Sequence, residues 1–166
     1  WVVPVLPKGV VLENYTVAVA NGQIAALLPT EQARASYSAP ERVVLERHAL
    51  MPGLVNAHCH AAMSLMRGIA DDLPLMTWLN EHIWPAEAAL ISPAYVADGV
   101  ELAAAEMLLG GVTAVNDQYF FPDVAVEVYR RMGMRAAVGM IVLEFPTPYA
   151  RDADEYPARM PGRQVH

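Results

Sequence analysis

The order of strand-like and helix-like stretches predicts an α/β protein, and three observations carry that reading. Residues 1 to 50 read as short strands separated by turn residues. From Leu50 onward strand-like runs alternate with helix-like ones, the pattern of successive βα units. Ser, Pro and Gly then fall at the junctions, where each element has to begin or stop. With 166 residues, 55% of them hydrophobic, the chain can bury a substantial core.

The first fifty residues place strands at Val10–Leu12 and Thr16–Ala20, followed by Asn21-Gly22 and the apolar run Gln23–Leu28. An Asn-Gly pair between apolar runs is a strong hairpin signal, because a type I′ turn needs positive φ at both central residues. Thr30 is then expected to cap a short helix, and Val43–Glu46 to return to strand. Read from its residues alone, this part is a small β-module.

The second part opens with a turn at Pro52-Gly53 into a buried strand, Gly53–Ala57, which ends in His58-Cys59-His60. A helix-capable segment follows, and Leu73 to Glu87 reads as a helix that starts beside Pro74. Ser92 is the expected N-cap of a longer helix, Ala94–Leu109, with Pro93 at its first position and Gly110-Gly111 ending it. Val112–Asp117 is the second strand, Pro122–Met132 a helix closed by Gly133, and Arg135–Leu143 the third strand. Tyr156 to Arg163, with two prolines and a glycine, is expected to be a ragged tail. The chain begins at Trp1 within an apolar run and without an initiator Met, so further residues are expected before it.

Charge and cysteine usage narrow the function. The net charge is −7 and the pI about 5.1, with the acidic residues scattered, which argues against a phosphate-binding surface and a nucleic-acid partner. Cys59 stands alone, so there is no internal disulfide framework, and a reducing cytoplasm suits the chain. No run of about 18 apolar residues is present, and no membrane span is expected.

The chemistry concentrates in His58 and His60. At i and i+2 of a strand the two imidazoles share one face, at the strand's C-terminal end. Neutral imidazole nitrogens ligate a divalent metal at about 2.0 to 2.1 Å in the zinc case; two ordinary surface histidines remain the alternative on spacing alone. Cys59 faces the other way and reads as packing. Asp71-Asp72 reads as a solvated loop pair rather than a metal pair. His82 reads as a structural histidine on a helix, and Asn116-Asp117 as ending its strand on the site face, beside the ligands.

The string MPGLVNAHCHAAMSLMRGIADDLPLMTWLNEHIWPAE resembles the opening of the metal-dependent amidohydrolase superfamily. Its PG(L/F)(V/I)(N/D)xHxH pattern is met by Pro52, Gly53, Leu54, Val55, Asn56, His58 and His60. The RGxADDLPLxxWLxxxIWPxE stretch resembles the methylthioadenosine/S-adenosylhomocysteine deaminase branch, whose cousins include guanine deaminases and triazine chlorohydrolases.

The resemblance implies a partial TIM (β/α)8 barrel, about its first three βα units over residues 51–166, preceded in residues 1–50 by the N-terminal part of a composite β-sandwich. A whole barrel takes about 250 residues, so it cannot close within this chain. It implies that His58 and His60 ligate one zinc or iron per active site, completed by a later His and Asp. The general acid/base Glu is likewise expected beyond His166. The implied reaction is hydrolytic deamination: water activated by the metal adds to C6 of an adenine ring, and that Glu passes a proton to the leaving ammonia. The implied partner is a small-molecule nucleoside, and a homo-oligomer is expected at full length.

Glu87 matches the position that binds the ribose hydroxyls, to which a carboxylate is a good acceptor. Trp84 and, less directly, Trp78 are candidates for a pocket wall, with core packing as the alternative. Arg151 follows the third strand, where relatives direct an arginine to the substrate. Two other readings stay open: a guanine- or triazine-type aminohydrolase or chlorohydrolase, and a non-catalytic truncated remnant. Lacking the later ligands, the chain alone is expected to bind metal weakly and turn over nothing.

Overall fold

The computed structural model describes residues 1–159, which divide into two compact units at Pro52/Gly53. In the first unit β1 (Tyr15–Ala20) and β2 (Gln23–Pro29) form an antiparallel hairpin, with Ala20 opposite Gln23. Its turn is Asn21-Gly22 with φ of +52° and +73°, the doubly positive geometry for which an Asn-Gly pair is suited. A short helix, α1 (Thr30–Ser36), follows. Thr30 is its first residue rather than its cap; Pro29 occupies the cap position, and the Thr30 hydroxyl bonds that of Thr16 at 3.0 Å.

Two expected strands in this unit do not form. Leu12 makes only an isolated bridge to Val2, which also bridges Leu50. Val43 and Val44 are solvent-exposed and lie outside any ladder. β propensity yields a strand only where a neighbour accepts its hydrogen bonds.

The second unit is built on a parallel sheet of β3 (Leu54–Cys59), β4 (Val112–Tyr119) and β5 (Arg135–Met140), in that order. Parallel neighbours require crossovers. The first runs through a 3-10 segment (Ala61–Met66), α2 (Leu75–Trp78), a π-helical turn (Leu79–Ile83), α3 (Trp84–Leu90) and α4 (Pro93–Leu109). The second is α5 (Pro122–Met132). The expected helix from Leu73 to Glu87 is thus three consecutive pieces. β4 runs two residues longer than expected, and β5 stops at Met140, short of Leu143.

The caps of α4 are as read: Ser92 Oγ accepts the Tyr95 N–H at 3.2 Å, and Gly110 closes the helix. Gly99 of α4 lets the 3-10 segment lie flush against it, since a Cβ there would fall 2.6 Å from the Ala62 carbonyl oxygen. The core lies between the sheet and these helices and includes Ala62, Val96, Val100, Val115, Val128 and Tyr129. Buried Val96, Val100, Ala103 and Ala104 give α4 its inward stripe. Among the described residues no single helix is long and apolar enough to cross a membrane.

At the C-terminal side α6 (Glu155–Arg159) forms where a ragged tail was expected. Tyr156 explains it: its ring is fully buried, and its hydroxyl meets that of Thr147 at 3.0 Å. Met160 to Arg163 lie outside the described residues.

Candidate active site

The two sides of β4 carry opposite chemistry. Val115, Asp117 and Tyr119 are buried on the helix side, whereas Asn116 and Gln118 are exposed on the other. β3 meets β4 with a bulge: Asn56 pairs with Val115 but Cys59 with Asp117, so one extra residue of β3 is accommodated between them. Asn56 therefore reaches Met107 of α4, its Nδ2 lying 3.6 Å from the sulfur, while its Oδ1 accepts the His58 N–H at 3.3 Å. Asn116 steadies the bulge from the opposite side by donating to the Ala57 carbonyl at 3.1 Å. Bulges re-aim side chains next to sites, and here the bulge immediately precedes the two imidazoles.

The rings of His58 and His60 are edge to face, with centroids 4.9 Å apart and planes at 82°. His60 Nδ1 lies 2.5 Å from the Gln118 carbonyl oxygen. A carbonyl only accepts, so Nδ1 carries the proton and the Nε2 lone pair is left free. This is the orienting contact that metal-ligating histidines usually have. Two imidazoles side by side, one with its Nε2 lone pair free, are a donor set that could hold one divalent metal given further ligands. Among the described residues no group of three or more His, Cys, Asp and Glu gathers to complete it.

Asp117 does not end its strand on the site face, as expected, because β4 continues to Tyr119 and alternation turns Asp117 inward. It is fully buried. Oδ1 accepts the Ala61 N–H at 3.0 Å and Oδ2 the Tyr129 hydroxyl at 2.9 Å. Asp117 thus pins the backbone directly after His60. Cys59 lies beside it against the core, its thiol pKa raised by burial and by the Asp117 charge.

Next to the imidazoles is a hollow of about 310 Å³ whose lining includes His60, Trp78, Trp84, Glu87, Gln118 and Tyr119. Its volume is at the lower end of small-molecule sites. Glu87 is half-buried there, its pKa raised by loss of hydration, against which the Tyr119 hydroxyl and the nearby His60 act. Tyr119 donates to Glu87 Oε1 at 2.5 Å. Trp84 leans on Phe145, with centroids 6.2 Å apart, and Trp78 bonds the Ile69 carbonyl at 3.1 Å. A larger groove of about 700 Å³, lined by Val55, Asn116, Arg130 and Met134 among others, contains none of the candidate ligands.

The remaining candidates lie elsewhere. Arg151 is solvent-exposed and pairs with Glu155, and it does not line the hollow. Asp71 and Asp72 are exposed on a loop. His82 is half-buried in the π-helical turn. Gln118 and Tyr119 lie beyond the strand end expected at Asp117, so the sequence alone does not point to them. Continuing the alternation of Val115 and Asp117 by one more step puts Tyr119 on the same face at the strand's C-terminal end, where it meets Glu87.

Comparison with known proteins follows the same lines. A 5-methylthioadenosine/S-adenosylhomocysteine deaminase of Saccharophagus degradans is 44% identical over 156 residues, which is 94% of this chain and 35% of that protein. The chain spans about 35% of the length of the curated relatives it matches. Among solved structures, an adenosine deaminase from Xanthomonas campestris with bound zinc is 52% identical with a TM-score of 0.85, over 95% of this chain and 36% of that one. Escherichia coli guanine deaminase, at 21% identity and a TM-score of 0.68 over 86% of this chain and 34% of its own, shares the fold. The Amidohydrolase family model matches residues 49–162, from the turn before β3 onward, and with that span the chain belongs to the amidohydrolase family.

Proposed function

We propose that the protein is a metal-dependent hydrolytic deaminase of an adenine nucleoside, 5-methylthioadenosine or S-adenosylhomocysteine, giving the inosine-type product and ammonia. On this reading β3, β4 and β5 are the first strands of a (β/α)8 barrel, with the site at their C-terminal ends. Residues 1–50 are part of a flanking β-sandwich. The observation that carries the proposal is the convergence of His60, its orienting Gln118 carbonyl, Glu87 and Trp84 on one hollow.

His58 and His60 would hold zinc or iron, with the rest of the ligand set supplied from outside the described residues. The bound metal supplies Lewis acidity and a water of lowered pKa. The Gln118 carbonyl keeps Nε2 of His60 available for it. Glu87 accepts ribose hydroxyls, and its half-burial strengthens those bonds by excluding competing water. Trp84, exposed at the rim, walls the base or the 5′ substituent. Arg151 is turned to Glu155, so a substrate contact from it requires that pair to open.

The ribose-binding role of Glu87 favours a nucleoside over a guanine- or triazine-type substrate, which has no such hydroxyls. The test is ammonia release by the full-length, metal-loaded protein from 5-methylthioadenosine, S-adenosylhomocysteine, guanine and a chlorotriazine. Release from the first two supports the proposal. No release from either, with turnover of guanine or the triazine, overturns it.

A further inference from the structure

Glu87 sits in the hollow with one oxygen already engaged. Tyr119 Oη donates to Oε1 at 2.5 Å, and among the described residues no bond is formed to Oε2. The Tyr119 ring is itself buried and held edge-on by Phe120 at 5.0 Å, with His60 at 6.1 Å on another side. Its hydroxyl is therefore a fixed donor rather than a roaming one. A second phenol, Tyr95 at the start of α4, has a buried hydroxyl with no hydrogen-bond partner. It is near enough to Glu87 that the carboxylate's charge adds to the burial that raises its pKa.

We infer that Tyr119 is a positioning residue for Glu87. It ties down Oε1 so that Oε2 faces the ligand, and thereby sets the preference for a ribonucleoside over its 2′-deoxy analogue. The physical argument is one of lone pairs and entropy. A free carboxylate rotates and offers either oxygen, whereas one held by a buried phenol presents a single acceptor in a fixed direction. Tyr119 touches no reacting atom on this account and acts only through Glu87. The inference rests on the proposed ribose-binding role of Glu87.

The test is a double-mutant cycle on the full-length, metal-loaded protein, using adenosine and 2′-deoxyadenosine for both deamination and equilibrium binding. Tyr119→Phe keeps the ring and removes only the hydroxyl. It should lower the ribo-to-deoxy discrimination about tenfold, through KM more than kcat. In a Glu87→Ala background the same substitution should change discrimination no further. An unchanged ratio, or an equal additional loss in the Glu87→Ala background, overturns the inference.

Glu87→Gln gives an independent reading if loss of the hydroxyl compromises folding. With Tyr119 holding the amide oxygen, the NH2 group faces the ligand and only donates, so a 2′-fluoro analogue, which accepts but cannot donate, gains affinity relative to wild type; if Tyr119 does not orient the side chain, the amide flips to accept from the ribose hydroxyl and the 2′-fluoro analogue gains nothing, which overturns the inference. Binding reads the ratio even where no ammonia is released, so failure of the deaminase reading and failure of the Tyr119 role are separately visible.

Discussion

Asp117 and Gln118 are adjacent on β4 and do opposite work. Asp117, on the helix side, is fully buried and satisfies two donors, the Ala61 amide and the Tyr129 hydroxyl. Gln118 has its side chain on the open side, and its backbone carbonyl holds His60. One strand thus anchors the chain after the histidine from one face and orients its ring near the other. The difference teaches that the imidazole pair is held from both sides of one strand, by a buried carboxylate that never meets an imidazole ring and by a backbone carbonyl that does. The open face can be altered at little cost to the fold, whereas the packed face cannot.

The largest effect should come from Asp117→Ala. It leaves a backbone N–H and a tyrosine hydroxyl buried without an acceptor, at about 2 to 5 kcal/mol, read as a drop in the urea midpoint of the full-length protein. A loss below about 0.5 kcal/mol would break the comparison. Gly99→Ala comes next. Its methyl group meets the backbone of Ala62, so the 3-10 segment after His60 must shift, costing about 1 to 3 kcal/mol by thermal unfolding.

His60→Ala, on the exposed face, should change stability of the metal-free protein by no more than about 0.5 kcal/mol. Zinc affinity, by competition with a chelating dye, should nevertheless fall by more than the roughly 10- to 100-fold expected for loss of an orienting partner alone.

The smallest effect is on the surface and depends on pH. Glu155 is held down to about 2, first by the Arg151 amide and then by Arg159. Its folded pKa is below the ordinary carboxylate value of 4.5, so its contribution is present above that value and is lost as pH falls towards about 2. The stability difference between wild type and Glu155→Gln should be constant above the ordinary value and shrink over that window, by equilibrium unfolding at stepped pH.

What was legible in the sequence was mostly local chemistry. Asn21-Gly22 specifies its turn by backbone conformation, and Ser92-Pro93 with Gly110 brackets α4 by capping, because neither depends on distant residues. His58-x-His60 was readable because alternation places both imidazoles together; the run before it, expected to be buried, is instead exposed at Leu54 and Val55, because β3 is an edge strand of the sheet. The β3 bulge was not, since the register of Asn56 against Val115 depends on a strand more than fifty positions away. Val43–Glu46 failed as a strand because it has no pairing neighbour. The Glu87–Tyr119 bond joins positions 32 apart, and nothing in either segment alone signals the other.

The central claim is that the open face of the parallel sheet carries half of a metal site. Metal content of the full-length protein by mass spectrometry, for wild type and for His58→Ala/His60→Ala, tests it directly. The account predicts about one zinc or iron per wild-type chain and its loss in the double variant, with the fold retained. Equal metal content in a folded double variant would contradict it.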